Sequence, residues 1–440
     1  MQHNKSQNNI FREEPDAGNY FVAAYPPFSA WTPGDITKLH STLARPKKTP
    51  LGLYIHLPFC PKKCDYCYYL SYIAQSADVV NQYLDSVVTE LKLYAALPGI
   101  GDRPVNFAYF GGGTPSTLSE NQLERLMTGL RSVLPWNNVE EITYECAPRS
   151  VRDPFLDALL ESGVTRLSMG VQSFDDELLK TNGRVHLSKD VIKAIESIQK
   201  AGFHTLNLDL ICGLIGETEA KWKESVQRII ELSPESVTIY QMEIPFNTKL
   251  YSDLKAETLP CLPVSWEQKR QRLAYAFEKL EKEGYTVVSA YNAVKSPSRH
   301  RFRYQDHLWG GDDMLGLGVA AFGYVSGIHS QNEVSLKDYH SAIHSGRIPA
   351  KRAMALSLQD QLIREFILQL KTGRVRKAHF EERFNVSLEE VLAEPLSRLV
   401  EQGLLLIEPR WIRLTRSGLL GVDRLLPGFY GKTFQSKRYT

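Results

Sequence analysis

Tyr54-Ile55-His56-Leu57-Pro58-Phe59-Cys60-Pro61-Lys62-Lys63-Cys64-Asp65-Tyr66-Cys67 is the stretch on which the reading of this chain turns. It starts inside an apolar run, residues 51–57, with the length and composition of a strand, and leaves it through a loop rich in cysteine. Three cysteines fall within eight residues, spaced C-x3-C-x2-C, whereas Cys146, Cys212 and Cys261 are scattered over the rest of the 440 residues. So tight a cluster in so long a chain reads as metal or redox chemistry rather than as a disulfide frame. A structural zinc site takes four ligands, and four-iron clusters are usually held by four thiolates. Here Tyr68 and Tyr69 follow instead of a fourth Cys or His. A cube on three thiolates keeps one iron open for a small chelating molecule, such as the amino and carboxylate groups of a methionine moiety. Zinc completed from a distant part of the chain is the competing reading. His56 reads as a packing or supporting group.

Outward from this loop, strand-like and helix-like stretches alternate. Short β-branched or aromatic runs at 105–110, 141–144, 166–169, 205–210 and 236–240 predict strands. Helical patterns lie at 77–97, 120–134, 153–162, 189–201, 219–232 and 266–283. The alternation predicts an α/β fold with a parallel sheet covered by helices. Six such units suit a partial or full (β/α) barrel, whose chemistry sits at the C-terminal ends of the strands. A last strand at 285–290 is expected to close the row. The chain divides into an N-terminal arm (1–50, with a short helix at 34–43), a barrel domain (51–295), a linking segment (296–348), and an α-rich, winged-helix-like domain with a tail (349–440). In that last part three helices are followed by strands at 404–407 and 411–414, with Gly403 as a helix stop. Lys+Arg 52 against Asp+Glu 50 leaves +2, so no global field argues for nucleic acid or an anionic membrane. No apolar run is long enough to span a bilayer, and residues 1–15 show no signal peptide, so a cytoplasmic protein is expected.

Further motifs sit at the predicted strand ends. Phe110-Gly111-Gly112-Gly113-Thr114-Pro115 follows the second strand, and its glycines suit either close approach to a ligand or a tight turn. Glu145 ends the third strand, where a carboxylate suits sugar hydroxyls. Leu167-Ser168-Met169-Gly170-Val171-Gln172-Ser173-Phe174 covers the fourth strand, and Asn182-Gly183-Arg184 follows it. Asn207-Leu208-Asp209-Leu210-Ile211-Cys212-Gly213-Leu214 covers the fifth, and a buried Asp209 requires a partner. Over about residues 50–425 these motifs resemble the radical SAM (S-adenosylmethionine) superfamily. Within it they resemble the family of oxygen-independent coproporphyrinogen III oxidases, with its haem-chaperone, haem-degrading and class C methylase relatives.

The resemblance implies a radical SAM barrel, a [4Fe-4S] cluster on Cys60, Cys64 and Cys67, and one or two SAM molecules. It places Gly111, Gly112, Gly113 and Thr114 at the amino group of SAM, Glu145 at its ribose, Gln172 and Asp209 beside it, and Arg184 near its carboxylate. Tyr54 and Tyr66 are implied near SAM, Tyr66 beside the adenine, and Met242 and Phe322 around a second SAM. Arg184 and Glu243 are the expected catalytic residues. Glu243 stands in Tyr240-Gln241-Met242-Glu243-Ile244-Pro245, where a rim carboxylate suits proton transfer or substrate binding. The implied chemistry is reductive cleavage of SAM to a 5′-deoxyadenosyl radical that attacks a small organic or tetrapyrrole-like substrate. An electron donor such as flavodoxin or ferredoxin, and a monomeric state, complete the expectation.

Three departures bear on the reaction. Tyr69 stands where the oxidase signature carries another cysteine, Cys146-Ala147-Pro148 alters the acid-Pro motif, and the sixth strand differs. They tilt the reading toward a class C C-methylase or cyclopropanase using two SAM molecules. The oxidase itself and a haem-binding chaperone are the alternatives. A nucleic-acid-binding role for the winged helix is disfavoured by the near-neutral charge. The aromatic, basic tail from Gly428 to Tyr439 has no assigned role.

Overall fold

The protein is described from a computed structural model covering Gly18 and residues 21–435. The rest of the predicted arm, and the tail beyond residue 435 with Arg438 and Tyr439, lie outside the described residues. Six strands, β1 (Leu51–Leu57), β2 (Val105–Gly112), β3 (Glu141–Cys146), β4 (Arg166–Gln172), β5 (Thr205–Cys212) and β6 (Ser236–Gln241), lie side by side in chain order, all parallel. The helices between them include α1 (Ala77–Ala95), α2 (Glu120–Arg131), α3 (Asp153–Glu161), α4 (Ser188–Ala201) and α5 (Glu219–Leu232), with α6 (Trp266–Lys282) after β6. Ser76, Ser119, Thr218 and Ser265 cap four of these helices by accepting an N–H of the first turn.

The two faces of the strands divide by period two. Ile142, Tyr144, Leu167, Met169, Leu206, Leu208, Val237 and Ile239 are buried in the apolar core that includes the helices. The alternate residues carry polar groups. Glu145 is level with Ser168, Ser168 with Asn207, and Asn207 with Ser236. Asn207 donates to Ser168 Oγ at 3.0 Å and to Asp209 Oδ1 at 2.7 Å, and accepts from Ser236 and Thr238. This second layer is a hydrogen-bonded network that ends at Asp209.

The sheet does not close on itself, so of the two expected forms the partial barrel is the one formed. The stretch expected to close it pairs antiparallel instead: Asn292–Val294 runs against β6, and Thr286–Val287 forms the outer edge. At the other side Met314–Leu317 adds a seventh parallel strand beside β1. Phe322–Val325, Ile328–Asn332 and Ala350–Ala355 then continue antiparallel. Residues 296–348, read from sequence as a linking segment, thus carry three strands of the main sheet, and the first strand of the expected last domain belongs to that sheet too. Their short, glycine-broken runs hid the period.

Beyond residue 356, helices Leu358–Leu370, Lys377–Phe384, Leu388–Val391 and Ala393–Glu401 pack with strands Arg374–Arg376, Leu405–Ile407 and Trp411–Leu414. Their core is shared with Val22 and Tyr25 of the N-terminal segment and with Tyr291 and Trp309. The N-terminal segment is strapped across the barrel: Gly18 bridges to Ile244 and Thr32 to Ala353. Among the described residues, no helix is long and apolar enough to cross a membrane.

Candidate functional site

The loop after β1 holds Cys60, Cys64 and Cys67 half-buried, with no disulfide among them. It is anchored to β2 by close backbone packing. Gly113 N–H donates to Leu57 O and Thr114 N–H to Phe59 O, both at 2.8 Å. A Cβ on Gly113 would lie 2.7 Å from Phe59 O and 2.8 Å from Leu57 O. Gly112 takes φ +113°, a conformation that favours glycine, and passes close to the His56 ring. The glycines thus bind the cysteine loop to the strand, and Gly111 leaves room for Glu145. Thr114 Oγ1 lies 3.4 Å from Cys60 Sγ. Burial pushes the Cys67 thiol up to about 11, so metal binding here would release protons.

All three cysteines line a cavity of about 200 Å³, together with Gly112, Gly113 and Thr114. Among the described residues, no three His, Cys, Asp or Glu side chains are gathered around a single metal-ion position. A second cavity of about 390 Å³ adjoins the first. Tyr66, Cys67, Gln172 and Arg184 line both, forming a shared wall.

Arg184 donates to Cys64 Sγ at 3.2 Å and to Gly170 O at 2.8 Å. Gln172 follows a bulge in β4 and has φ +68°, strained for a non-glycine residue, which aims its side chain at the shared wall. The buried Gln172 Oε1, Arg184 Nε and Gln241 Oε1 have no hydrogen-bonding partner in the protein, and all three residues line the larger cavity. Clustered orphan polar atoms of this kind mark a place built for a ligand.

Glu145 Oε1 accepts from the Tyr109 hydroxyl, and Oε2 accepts from Gly112 N–H at 3.1 Å. Burial raises the pKa of Glu145 despite these donors. Burial first, and then the charge of Glu145, raises Asp209 to about 7. Glu145, Asp209, Met242 and Glu243 all line the larger cavity. Met242 does so at a buried position whose carbonyl accepts from the buried Lys269 ammonium at 2.8 Å. Glu243 Oε1 accepts the Phe21 N–H of the strap.

Two expected residues stand apart. Tyr54 lines neither cavity; its hydroxyl meets His56 Nδ1 at 3.0 Å and its ring stacks on Tyr109. Phe322 also lines neither, because its ring packs on Phe28 and Trp31 of the N-terminal segment. The sequence reading missed Phe21, Tyr291 and Asp423, which complete the larger cavity from distant parts of the chain. It also missed Tyr109 and Asn207, whose signal was their place on the inward period of β2 and β5.

A partial parallel barrel with a three-cysteine loop after its first strand, glycines after its second and a carboxylate ending its third defines a radical SAM protein, a class that uses a [4Fe-4S] cluster and SAM. The radical SAM superfamily model matches residues 54–229, and the HemN C-terminal domain model matches residues 356–420. The heme chaperone HemW of Bacillus subtilis is 31% identical over 383 residues, covering 86% of this chain and 99% of the relative. The oxygen-independent coproporphyrinogen III oxidase of Salmonella typhimurium is 30% identical over 394 residues, 86% of this chain and 85% of the relative. The solved structure of coproporphyrinogen III oxidase HemN from Escherichia coli superposes with a TM-score of 0.81 at 26% identity, covering 93% of this chain and 96% of that one. The chain belongs to the radical SAM family that contains these oxidases and chaperones. The expectation of a class C methylase or cyclopropanase draws no support from these relatives, whose names point to the oxidase and chaperone alternatives.

The residues present fit the cofactors. Three free thiols face one cavity, orphan polar atoms face the next, and Arg184 sits between them on Cys64.

Proposed function

We propose that this protein holds a [4Fe-4S] cluster and SAM in adjoining cavities and directs radical chemistry at a tetrapyrrole in the larger one. The observation that carries the proposal is the shared wall of Tyr66, Cys67, Gln172 and Arg184, which puts a thiol-lined cavity beside a larger, aromatic one. When bound, the cluster supplies the electron that cleaves SAM, and SAM supplies the 5′-deoxyadenosyl radical. Cys60, Cys64 and Cys67 would hold three irons and leave the fourth open. Arg184 faces the shared wall, where its fork suits the carboxylate of SAM. Gln172 offers an unsatisfied acceptor, and Glu145 and Asp209 suit the ribose hydroxyls. Tyr68, Tyr69 and Tyr240 line the chamber with flat, amphipathic surface, which suits a macrocycle and excludes water. Glu243, at the same wall, is placed to hold or move a proton on its carboxylate.

In this reading, as in the oxidases, cleaved SAM would take a hydrogen atom from the tetrapyrrole, and the second electron of the oxidation would leave to an external one-electron acceptor. A second reading, haem carriage without turnover, is favoured by the 31% identity to a heme chaperone and by Tyr69 at the place of the oxidase's extra cysteine. We take the protein to act in the cytoplasm, as a monomer, with an external electron donor. Anaerobic incubation with SAM, dithionite and either coproporphyrinogen or haem tests both. 5′-Deoxyadenosine with a mass change in the tetrapyrrole is the expected result. Haem bound tightly with SAM intact would establish carriage instead. Nucleoside release with both tetrapyrroles unchanged would overturn the assigned substrate class, and S-adenosylhomocysteine would restore carbon transfer.

A further inference from the structure

The chain as a whole is electrically balanced, with 52 basic and 50 acidic residues, but the cysteine-lined cavity is not. Its lining includes four cations, Lys62, Lys63, Arg149 and Arg184, and no Asp or Glu. Arg184 is turned inward onto Cys64 and Gly170. The other three are exposed, and among the described residues none has an acidic partner within 4.0 Å. Arg149 reaches across to the carbonyl of Val185 at 3.1 Å, and Val185 is itself an exposed apolar residue on the same rim. Pro61, also exposed, completes a small rim of mixed apolar and cationic character around the half-buried cysteines.

The larger cavity shares part of its wall with the first but has the opposite balance. Its wall carries Glu145, Asp209, Glu243 and Asp423 against Arg184 alone, and the N-terminal strap and the C-terminal domain both contribute to it. The acidic, strapped side suits an enclosed small molecule. The basic rim is exposed and surrounds the half-buried thiols that would hold the cluster. Electrostatic complementarity between an exposed basic rim and an acidic partner steers association and fixes orientation.

We infer that the rim formed by Lys62, Lys63, Arg149 and Val185 is the docking surface for an acidic one-electron carrier protein. The inference rests on the cluster reading above and assigns the place where that cluster is reduced. One electron leaves the reduced carrier, which is oxidised, and enters the thiolate-held cluster, which is reduced. No atom or proton crosses this surface. The small apolar area, Pro61 and Val185, suits a transient contact, as turnover of a carrier requires.

The test uses the full chain with its cluster reconstituted, and a reduced flavodoxin as the acidic carrier. Calorimetric binding is measured for wild type and for the K62E/K63E/R149E variant. Iron content and the extent of cluster reduction by excess dithionite are measured alongside. Reversal of the three charges is expected to weaken flavodoxin binding by about tenfold or more, with iron content and full reducibility by excess dithionite kept. Wild-type binding is expected to weaken as salt rises from about 50 to about 300 mM. The milder K62Q/K63Q variant, which leaves Arg149 in place, is expected to fall between the two. Unchanged affinity in all variants, or binding of wild type that ignores salt, would overturn the docking surface while leaving the cluster intact. If no protein takes up iron, the cluster reading fails, and flavodoxin binding by the apo-protein still decides whether the rim recruits an acidic partner.

Discussion

At the residue scale the account rests on side chains whose polar atoms lack protein partners. Gln172 Oε1 and Gln241 Oε1 are buried and unbonded at the wall of one cavity. Natural cores avoid such groups unless a ligand satisfies them. Asp209 gives a prediction with a definite sign. Raised to about 7 by burial and by Glu145, its carboxyl stays protonated up to about that pH before SAM binds. A cationic ligand favours the ionised form, so SAM binding below that pH must release the proton. The affinity of cluster-loaded protein for SAM should therefore rise as pH climbs from about 6 to about 8, by at most about tenfold per pH unit. In D209N the rise should be shallower. A pH-independent wild-type affinity by equilibrium dialysis would remove Asp209 from the site. The cysteine triad, Glu145, Gln172, Arg184, Asp209 and Glu243, singled out from short motifs at or after the predicted strands, all line one or both cavities. Tyr54 and Phe322, also expected near SAM, line neither cavity, since an aromatic residue looks the same in a ligand wall as in a core.

At the element scale, the strand reading stopped short where function begins. Strands β2 to β5 run two or three residues past the ends expected from apolar alternation. The added residues are Gly111 and Gly112, Glu145 and Cys146, Gly170 to Gln172, and Ile211 and Cys212. Glycines, a carboxylate and a bulge break the period-two signal, and Gly112, Glu145, Cys146, Gly170, Gln172 and Ile211 among them line the cavities. The order of the six parallel strands was legible because helices separate them. The antiparallel strands after residue 290 were not, because paired hairpin strands leave no helical punctuation. The union of β2 with the cysteine loop is testable through Gly113. In G113A the new methyl meets two backbone carbonyls at 2.7 and 2.8 Å, so the loop must shift. Iron loading after anaerobic reconstitution should drop several-fold while far-UV circular dichroism stays native. Full iron loading would show that the loop tolerates displacement.

At the scale of the whole molecule, the larger cavity is assembled from segments that are far apart in sequence. Asp423 Oδ1 accepts the N–H of Val22 at 2.8 Å across 401 positions, and its other oxygen accepts the Tyr291 hydroxyl. The Lys371 ammonium lies 3.3 Å from Asp423 and donates to Val22 O at 2.8 Å. Burial, against the charge of Asp423, brings Lys371 down to about 8. No local pattern announces such a junction, which is why the sequence left the arm and the C-terminal domain as separate parts. Replacing one member strands a buried charge. D423N should cost about 3–5 kcal/mol of unfolding free energy in denaturant titration. It should also free the strap, seen as faster proteolysis near residue 22. A loss below about 1 kcal/mol would mean that the network is solvated and does not join the parts.

The most direct test of the whole account is electron paramagnetic resonance of the anaerobically reconstituted, reduced protein, with and without SAM, in wild type and in the C60A, C64A and C67A variants. The account predicts a reduced [4Fe-4S] signal in wild type that SAM shifts, through an iron with no protein ligand, and loss of that signal in each variant. A colourless zinc protein, or a cube whose spectrum ignores saturating SAM, would contradict it.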